Sequence, residues 1–358
     1  MMIRSKAPLR LGFGGGGTDV SPFSDQHGGC VLNATIDQYA YCTLEPAPDG
    51  EVSIMALDRG ESWSAPATER IALDEPLRLH KGIYNRVVQQ FNHDKPLPVR
   101  ISTHADVVAG SGLGTSSTLV VAVLQAFNEW LRLGLGEYEI ARLAYQIERE
   151  DVGLAGGKQD QYAAAFGGFN FMEFDGADRV IVNPLRVKDW VVNELEVSLV
   201  LFHTGTSRDS AAIIDEQVAQ ASLAGSPSIE VLNALKRDAV SMKEHLLTGD
   251  LRAFSGVLGK SWESKKRLAH SISNARIEEI FALALASGAQ TGKVSGAGGG
   301  GVIMFVVDPR ERPRLIDALR ALEGRVIPFH FTQKGAEAWC PDPARRPPPG
   351  GVRGEWTR

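Results

Sequence analysis

Gly110-Ser111-Gly112-Leu113-Gly114-Thr115-Ser116-Ser117 is the stretch on which the reading of this 358-residue chain turns. Its glycines run straight into an apolar stripe at helical spacing: Leu119, Val123, Leu124, Phe127 and Leu131. The spacing predicts a helix from Ser116 to Leu133, with Thr115 or Ser116 as its cap. A glycine loop that enters a helix offers unpaired backbone N–H groups and the positive end of the helix dipole. That suits the phosphates of a nucleotide, and Ser116 and Ser117 stand where hydroxyls meet a phosphate or its Mg²⁺. A capped helix after a flexible turn would use the same letters, so the rest of the chain has to decide.

Two more glycine loops lie on either side. Gly12-Phe13-Gly14-Gly15-Gly16-Gly17-Thr18-Asp19 follows a strand-like start from Ile3 to Phe13. Lys293-Val294-Ser295-Gly296-Ala297-Gly298-Gly299-Gly300-Gly301 precedes the apolar run Val302 to Val307. Both contain the letters G-x-G-x-x-G. The first is followed by Pro22 and no helical periodicity, and the other leads into a strand, so neither has the context of a dinucleotide fold. This argues against an NAD-linked oxidoreductase. No Walker A pattern occurs. Three glycine loops point instead to a kinase for a small molecule.

An acidic segment separates the second loop from the third. A helix is expected over Glu137 to Glu150, ending in Glu148-Arg149-Glu150-Asp151. Mg²⁺ takes oxygen ligands and keeps several waters, so one carboxylate beside a serine hydroxyl and phosphate oxygens makes a plausible site. Glu148 and Glu150 are two apart and point to different faces, so only one should serve. Gly153, Gly156 and Gly157 then lead to Lys158-Gln159-Asp160-Gln161. Asp160 can take the proton of a hydroxyl whose oxygen attacks phosphorus. A helix-capping aspartate would look the same.

Composition narrows the class. Hydrophobic residues at 43% and charged residues at 23% are ordinary for a globular protein, and a net charge of -5 gives no general pull toward nucleic acid or anionic membranes. The run Val302 to Val307 is too short to span a bilayer. The start, Met1 to Pro8, has no apolar run behind its positive charges, so no signal peptide is expected. Cys30, Cys42 and Cys340 have no close pairing, which argues against zinc or a disulfide framework and fits the cytoplasm. Further strands are expected over Val31 to Leu44, Val52 to Ile54, Ser62 to Ile71, Val99 to Thr103, Val197 to Phe202 and Val326 to Phe331. Further helices are expected over Gly82 to Phe91, Ala211 to Ala224, Ile229 to Leu247, Leu251 to Leu268, Ile277 to Ser287 and Arg312 to Leu322.

Together these residues resemble the GHMP family of small-molecule kinases over residues 3 to 335, with three motifs in order. The family's central motif is similar to Gly112-Leu113-Gly114-Thr115-Ser116-Ser117-Thr118, and its third to Gly296-Ala297-Gly298-Gly299-Gly300-Gly301. The resemblance implies an α+β fold of two domains. Residues 1–190 would form an ATP-binding domain like ribosomal protein S5 domain 2, and 191–340 a ferredoxin-like domain, followed by a disordered tail over 341–358. It further implies ATP phosphates on Gly110 to Ser117, supported by Gly296, Ala297, Gly298 and Gly299. Mg²⁺ would be held by Ser116 or Ser117 with Glu148, whose spacing from Asp160 matches the galactokinase branch. Asp160 would be the base, with Arg10 beside it.

The same resemblance bears on the acceptor. Galactokinases carry a Glu-His pair on sugar hydroxyls where this chain has Gly16-Gly17, so Gly16, Gly17, Thr18 and Asp19 would hold a different sugar. Ala7-Pro8-Leu9-Arg10, Gly157-Lys158-Gln159-Asp160-Gln161-Tyr162-Ala163 and Phe166-Gly167-Gly168-Phe169-Asn170 resemble the branch that phosphorylates a heptose 7-phosphate at its anomeric hydroxyl. A distal phosphate needs a cation away from the reacting carbon. Arg208, in Gly205-Thr206-Ser207-Arg208, is the first candidate, followed by Lys6, Lys81 and Arg86. The expected partners are ATP and a sugar phosphate, with no nucleic acid and no membrane, in a monomer or homodimer. L-fucose kinases are near neighbours, but their first motif carries a tryptophan and a double proline that are absent here. A nucleotide-binding protein without catalysis is the other alternative, and the intact Arg10, Glu148 and Asp160 argue against it.

Overall fold

The computed structural model describes residues 2–176, 179–206, 210–222 and 227–342. Arg208 and, beyond Asp342, the tail fall outside this range. The first half of the chain runs β1 (Ile3–Gly14), α1 (Phe23–His27), β2 (Gly29–Pro46), β3 (Glu51–Ala56), β4 (Glu61–Pro66), α2 (Arg78–Phe91), β5 (Val99–Ala105), α3 (Thr115–Leu131), α4 (Glu137–Gln146), α5 (Gln159–Phe166), β6 (Phe169–Asp175) and β7 (Arg179–Pro184). The second half runs α6 (Asp189–Ser198), β8 (Leu199–His203), α7 (Ser210–Ser222), α8 (Ser228–Thr248), α9 (Leu251–Lys265), α10 (Ala275–Ala286), β9 (Ala289–Val294), β10 (Val302–Val307), α11 (Arg312–Arg320), β11 (Arg325–Ile327) and β12 (Glu337–Trp339).

Among the described residues the strands form two sheets. The larger contains β1 to β7 and takes back β12 against β1; the smaller is antiparallel in the order β11-β8-β10-β9. This is the α+β arrangement expected from the sequence. Alternation explains the half-buried strands: in β3 the side chains of Val52, Ile54 and Ala56 are buried and those between them are not.

The central strand β1 sets up the site. Ile3 and Ala7 share a core with Val120, Val123 and Phe127 of α3, and Ser5 Oγ donates to the carbonyl of Ala122. Leu9, Leu11 and Phe13 instead share a core with Met242 and Leu246 of α8 and Phe254 and Leu258 of α9. The register between β1 and β2 shifts between Pro8 and Arg10, where this change of core occurs. Such irregularities re-aim side chains, because strand faces alternate with a period of two. Arg10 is thereby left on the side of α3 and α5.

Several sequence expectations are corrected. The helix after the second loop is capped by Gly114 in a left-handed conformation with no side-chain cap, so neither Thr115 nor Ser116 spends its hydroxyl there. The helix expected to reach Glu150 ends at Gln146, and Ile147–Asp151 forms a π-helical turn. Such turns add a residue and rotate the next side chains about the helix axis. The closing strand ends at Ile327, and Phe331 makes only an isolated bridge to Ile36. Helix α6 and the hairpin β6–β7 were not anticipated.

Candidate active site

The second glycine loop is built on alternation. Gly110, Gly112 and Gly114 all have φ near +80° and line a cleft, whereas Ser111 and Leu113 between them are fully buried. Leu113 anchors the loop in the core shared by the two halves, and its carbonyl accepts the N–H of Arg10 at 3.1 Å. A Cβ on Gly112 would run into the carbonyl of Ser295, so the second and third loops pack backbone against backbone. Val302 N–H donates to Ser111 O at 2.8 Å across the same seam. The cleft holds about 520 Å³ and is walled by the first loop, the second loop, the turn before α5, α7 and the end of α9.

At the start of α3 the hydroxyls meet an acid. Ser116 Oγ donates to Glu148 Oε1 at 3.2 Å. Gln161 Nε2 donates to Glu148 Oε2 at 2.5 Å and to Ser117 Oγ at 3.1 Å. The π-helical turn brings Glu148 to the cleft wall with only 1% exposure, whereas Glu150 is exposed. Arg149 Nη2 stands 4.0 Å from Glu148, but its guanidinium is spent on the carbonyls of Leu154, Ala155 and Gly157, which hold the turn before α5.

Asp160 lies in the first turn of α5. Arg10 donates Nε to its Oδ1 at 2.8 Å, and Nη2 lies 2.7 Å from the same oxygen. Arg10 Nη1 donates to the carbonyl of Gly112 at 2.5 Å and reaches Ser295 Oγ at 3.4 Å. One guanidinium thus ties the acid to both the second and third loops.

The other expected residues divide. Gly16, Gly17 and Asp19 line the cleft; Thr18 does not. Its hydroxyl donates to the carbonyls of Gly15 and Cys30 and accepts from Cys30 N–H, so it fastens the first loop to β2. Asp19 accepts from Gly17 N–H at 3.1 Å, from Gln159 N–H at 3.1 Å and from Gln159 Nε2 at 3.2 Å. Gly296 and Ala297 line the cleft, whereas Gly298 and Gly299 pack on Ile272. Lys6, Lys81 and Arg86 are paired with Glu337, Asp74 and Asp151, and none lines the cleft.

Four cleft or near-cleft groups carried no recognisable signal of their role in the sequence. Gln159 and Gln161 flank Asp160, and each orients a different carboxylate. Lys265, 3% exposed, lines the cleft, and its Nζ donates to Gly296 O at 2.5 Å. Burial pushes its ammonium down to about 8, against Asp19, which holds it up. Lys293 is buried in the seam between the halves and donates to the carbonyls of Gly12 and Phe13. Burial holds it well below the usual lysine range. The positions of Gln159, Gln161 and Lys293 within quoted motifs were legible beforehand; that of Lys265 was not.

Comparison with known proteins bears on the same residues. The family model "GHMP kinases N terminal domain" matches residues 78–168, and "GHMP kinases C terminal" matches 242–323. A protein from Campylobacter jejuni named D-glycero-alpha-D-manno-heptose 7-phosphate kinase is 49% identical over 94% of this chain and 98% of its own. The crystal structure of a D-glycero-D-manno-heptose 1-phosphate kinase from Bacteroides thetaiotaomicron superposes with a TM-score of 0.81 at 48% identity, over 94% of this chain and 99% of that one. An L-fucokinase/L-fucose-1-P guanylyltransferase from Bacteroides fragilis is 26% identical over 88% of this chain, which spans 35% of that longer protein.

Proposed function

The chain belongs to the GHMP kinases, and from that premise we propose that it moves the γ-phosphoryl group of ATP to the anomeric hydroxyl of D-glycero-D-manno-heptose 7-phosphate, giving the 1,7-bisphosphate for nucleotide-activated heptose synthesis. The observation that carries the chemistry is Asp160. Arg10 occupies its Oδ1, and no donor among the described residues reaches Oδ2, which lies on the Gly114 side where the phosphate loop meets α3. The acceptor hydroxyl gives its proton to that oxygen while its own oxygen bonds to phosphorus. The bond from phosphorus to the ADP oxygen breaks, and ADP leaves with the electron pair. Phosphoryl transfer rests mainly on positioning and charge stabilisation. Of the loop, Gly110, Gly112, Gly114, Thr115, Ser116 and Ser117 face the cleft to meet the phosphates, whereas Ser111 and Leu113 are buried behind them, and the tie from Arg10 to Gly112 keeps acid and loop in one register.

Mg²⁺ fits the donor set. Glu148 is a buried carboxylate on the cleft wall, its hydrogen-bond partners are a neutral hydroxyl and amide, the Arg149 guanidinium stands off at 4.0 Å, and Ser116 and Ser117 stand beside it. Hard oxygen donors of this kind, completed by phosphate oxygens and water, are what the ion takes. When bound, the ion would neutralise charge developing on the phosphates. Gln161 keeps Glu148 and Ser117 in place for it.

The acceptor is proposed from the two full-length relatives at 48–49% identity, whose names share the heptose and differ in the phosphate they give it. The fucokinase relative is far less similar. We place the enzyme in the cytoplasm, where ATP is at hand and its three free cysteines stay reduced. We take residues 1–190 and 191–340 as its two domains, since β1 to β7 form the larger sheet and β8 to β11 the smaller, with β12 returning to the larger one.

A direct test incubates the purified protein with ATP and a panel of sugars and sugar phosphates, and follows the product by phosphorus NMR. The expected outcome is a new anomeric phosphate on the heptose 7-phosphate. Faster turnover of fucose or galactose, or a new phosphate at another carbon, would overturn the reading.

A further inference from the structure

The role of Lys265 rests on the kinase reading. Lys265 closes α9 at the cleft, and the only hydrogen bond of its ammonium among the described residues goes to the carbonyl of Gly296. Gly296 packs on the phosphate loop: a Cβ there would stand 2.7 Å from the carbonyl of Gly112. On the other side, a Cβ on Gly16 of the first loop would stand 3.6 Å from Lys265 Nζ. The ammonium therefore sits at the joint between the loop assigned to ATP and the loop assigned to the sugar.

The charged groups facing it come from four elements. They are Asp19 of the first loop, Arg10 of β1, Asp160 of α5 and Lys293 of β9. The carboxylates are engaged elsewhere, Asp160 by Arg10 and Asp19 by Gly17 and Gln159. The donors of Arg10 go to Asp160, Gly112 and Ser295, and those of Lys293 to two backbone carbonyls away from the cleft. Of these three cations, Lys265 is the one with donors to spare on the cleft wall. A buried ammonium is costly unless hydrogen bonds and a counter-charge complete it. Here the missing partner is an anion delivered by the substrates.

We propose that Lys265 is a catalytic residue that binds the phosphoryl group in transit. As the acceptor oxygen bonds to phosphorus and ADP departs with the electron pair, Nζ donates to a non-bridging oxygen of the moving group. Charge spreads over those oxygens in such a transition state, so a fixed cation there lowers the barrier. The distal phosphate of the sugar is the same kind of anion, and kinetics separate the two sources.

The test compares wild type, Lys265→Met and Lys265→Arg with ATP and D-glycero-D-manno-heptose 7-phosphate. Lys265→Met is expected to lower kcat by about 10²–10³ while KM for both substrates stays close to wild type. Lys265→Arg should restore part of kcat and abolish the decline of activity above pH 8 expected of wild type. Binding of ADP with aluminium fluoride and the sugar phosphate should weaken in Lys265→Met, and binding of ADP alone should not. A raised KM for the sugar phosphate at unchanged kcat would move Lys265 to the distal phosphate and overturn the proposal, as would unchanged kinetics. Should Lys265→Met fail to bind ADP, Lys265→Arg decides: an alkaline decline that persists in it overturns the role. A wild type that turns over no sugar phosphate removes the kinase reading and this role together, whereas an active wild type with an unaffected Lys265→Met removes this role alone.

Discussion

Arg10 directs two of its nitrogens at a single oxygen of Asp160, Nε and Nη2 lying 2.8 and 2.7 Å from Oδ1. The carboxylate is held at one end and leaves its other oxygen toward the start of α3, where a Cβ on Gly114 would stand 3.2 Å from Oδ2. A guanidinium carries donors and no acceptor, so Arg10 orients the acid without competing for the proton.

Asp160→Asn keeps the shape and removes the proton acceptor. Turnover is expected to fall by about 10²–10⁴, the usual cost of losing a general base. Nucleotide affinity should stay near wild type, because the phosphate loop is built from other residues. Isothermal titration with ADP alongside steady-state kinetics checks both halves. Near-normal turnover in a well-folded variant would remove the assigned role.

Glu148→Gln and Glu150→Gln form a matched pair two residues apart on the π-helical turn. Glu148 is buried at the cleft wall and Glu150 is exposed to solvent. The magnesium concentration for half-maximal activity should rise strongly in the first and stay unchanged in the second. A titration in the reverse order would transfer the ligand role to Glu150.

The buried ammonium of Lys265 makes the pH profile directional. Burial destabilises the charged form and brings the group down to about 8, so the charge is present below that pH and lost above it. In the free enzyme kcat/KM should therefore decline above pH 8. Bound phosphates favour the charged form, so kcat should hold to higher pH than kcat/KM. The linkage to stability has the opposite sense. Between about 8 and the ordinary lysine value of 10.5 the unfolded chain binds more protons than the folded one, so this group makes the fold more stable as pH rises. Parallel pH profiles for kcat and kcat/KM would contradict the assignment.

Gly112→Ala tests the seam between the loops. Gly112 has φ +79°, and its missing side chain leaves room for the carbonyl of Ser295. Alanine there should cost about 1–3 kcal/mol of stability from backbone strain, and more if the third loop must withdraw. A lower melting temperature together with a raised KM for ATP is expected. A variant with unchanged melting temperature would show that the two loops part freely.

The sequence by itself determined the parts whose signal is local. Glycines leading into the apolar stripe from Leu119 to Leu131 specify a loop and a helix, because backbone freedom and a 3.6-residue period are written in neighbouring letters. Arg10, Glu148 and Asp160 stood out for the same reason, since their types and spacing match a family pattern, and all three line one cleft. Only the tertiary structure decided what depends on chain segments far apart. The π-helical turn that carries Glu148 to the cleft packs against α2, and nothing in the letters of Ile147–Asp151 announces it. Thr18 read as a sugar contact, yet its hydroxyl is consumed by Gly15 and Cys30. Lys265 was not singled out in the sequence, since nothing in its neighbourhood tells a solvated charge from a buried one. Its position beside Gly296 and Gly16 arises when three glycine loops, nearly three hundred residues apart at the extremes, close on one another. The second and third loops lack side chains where each other's backbone passes, and that complementarity exists only in the folded chain.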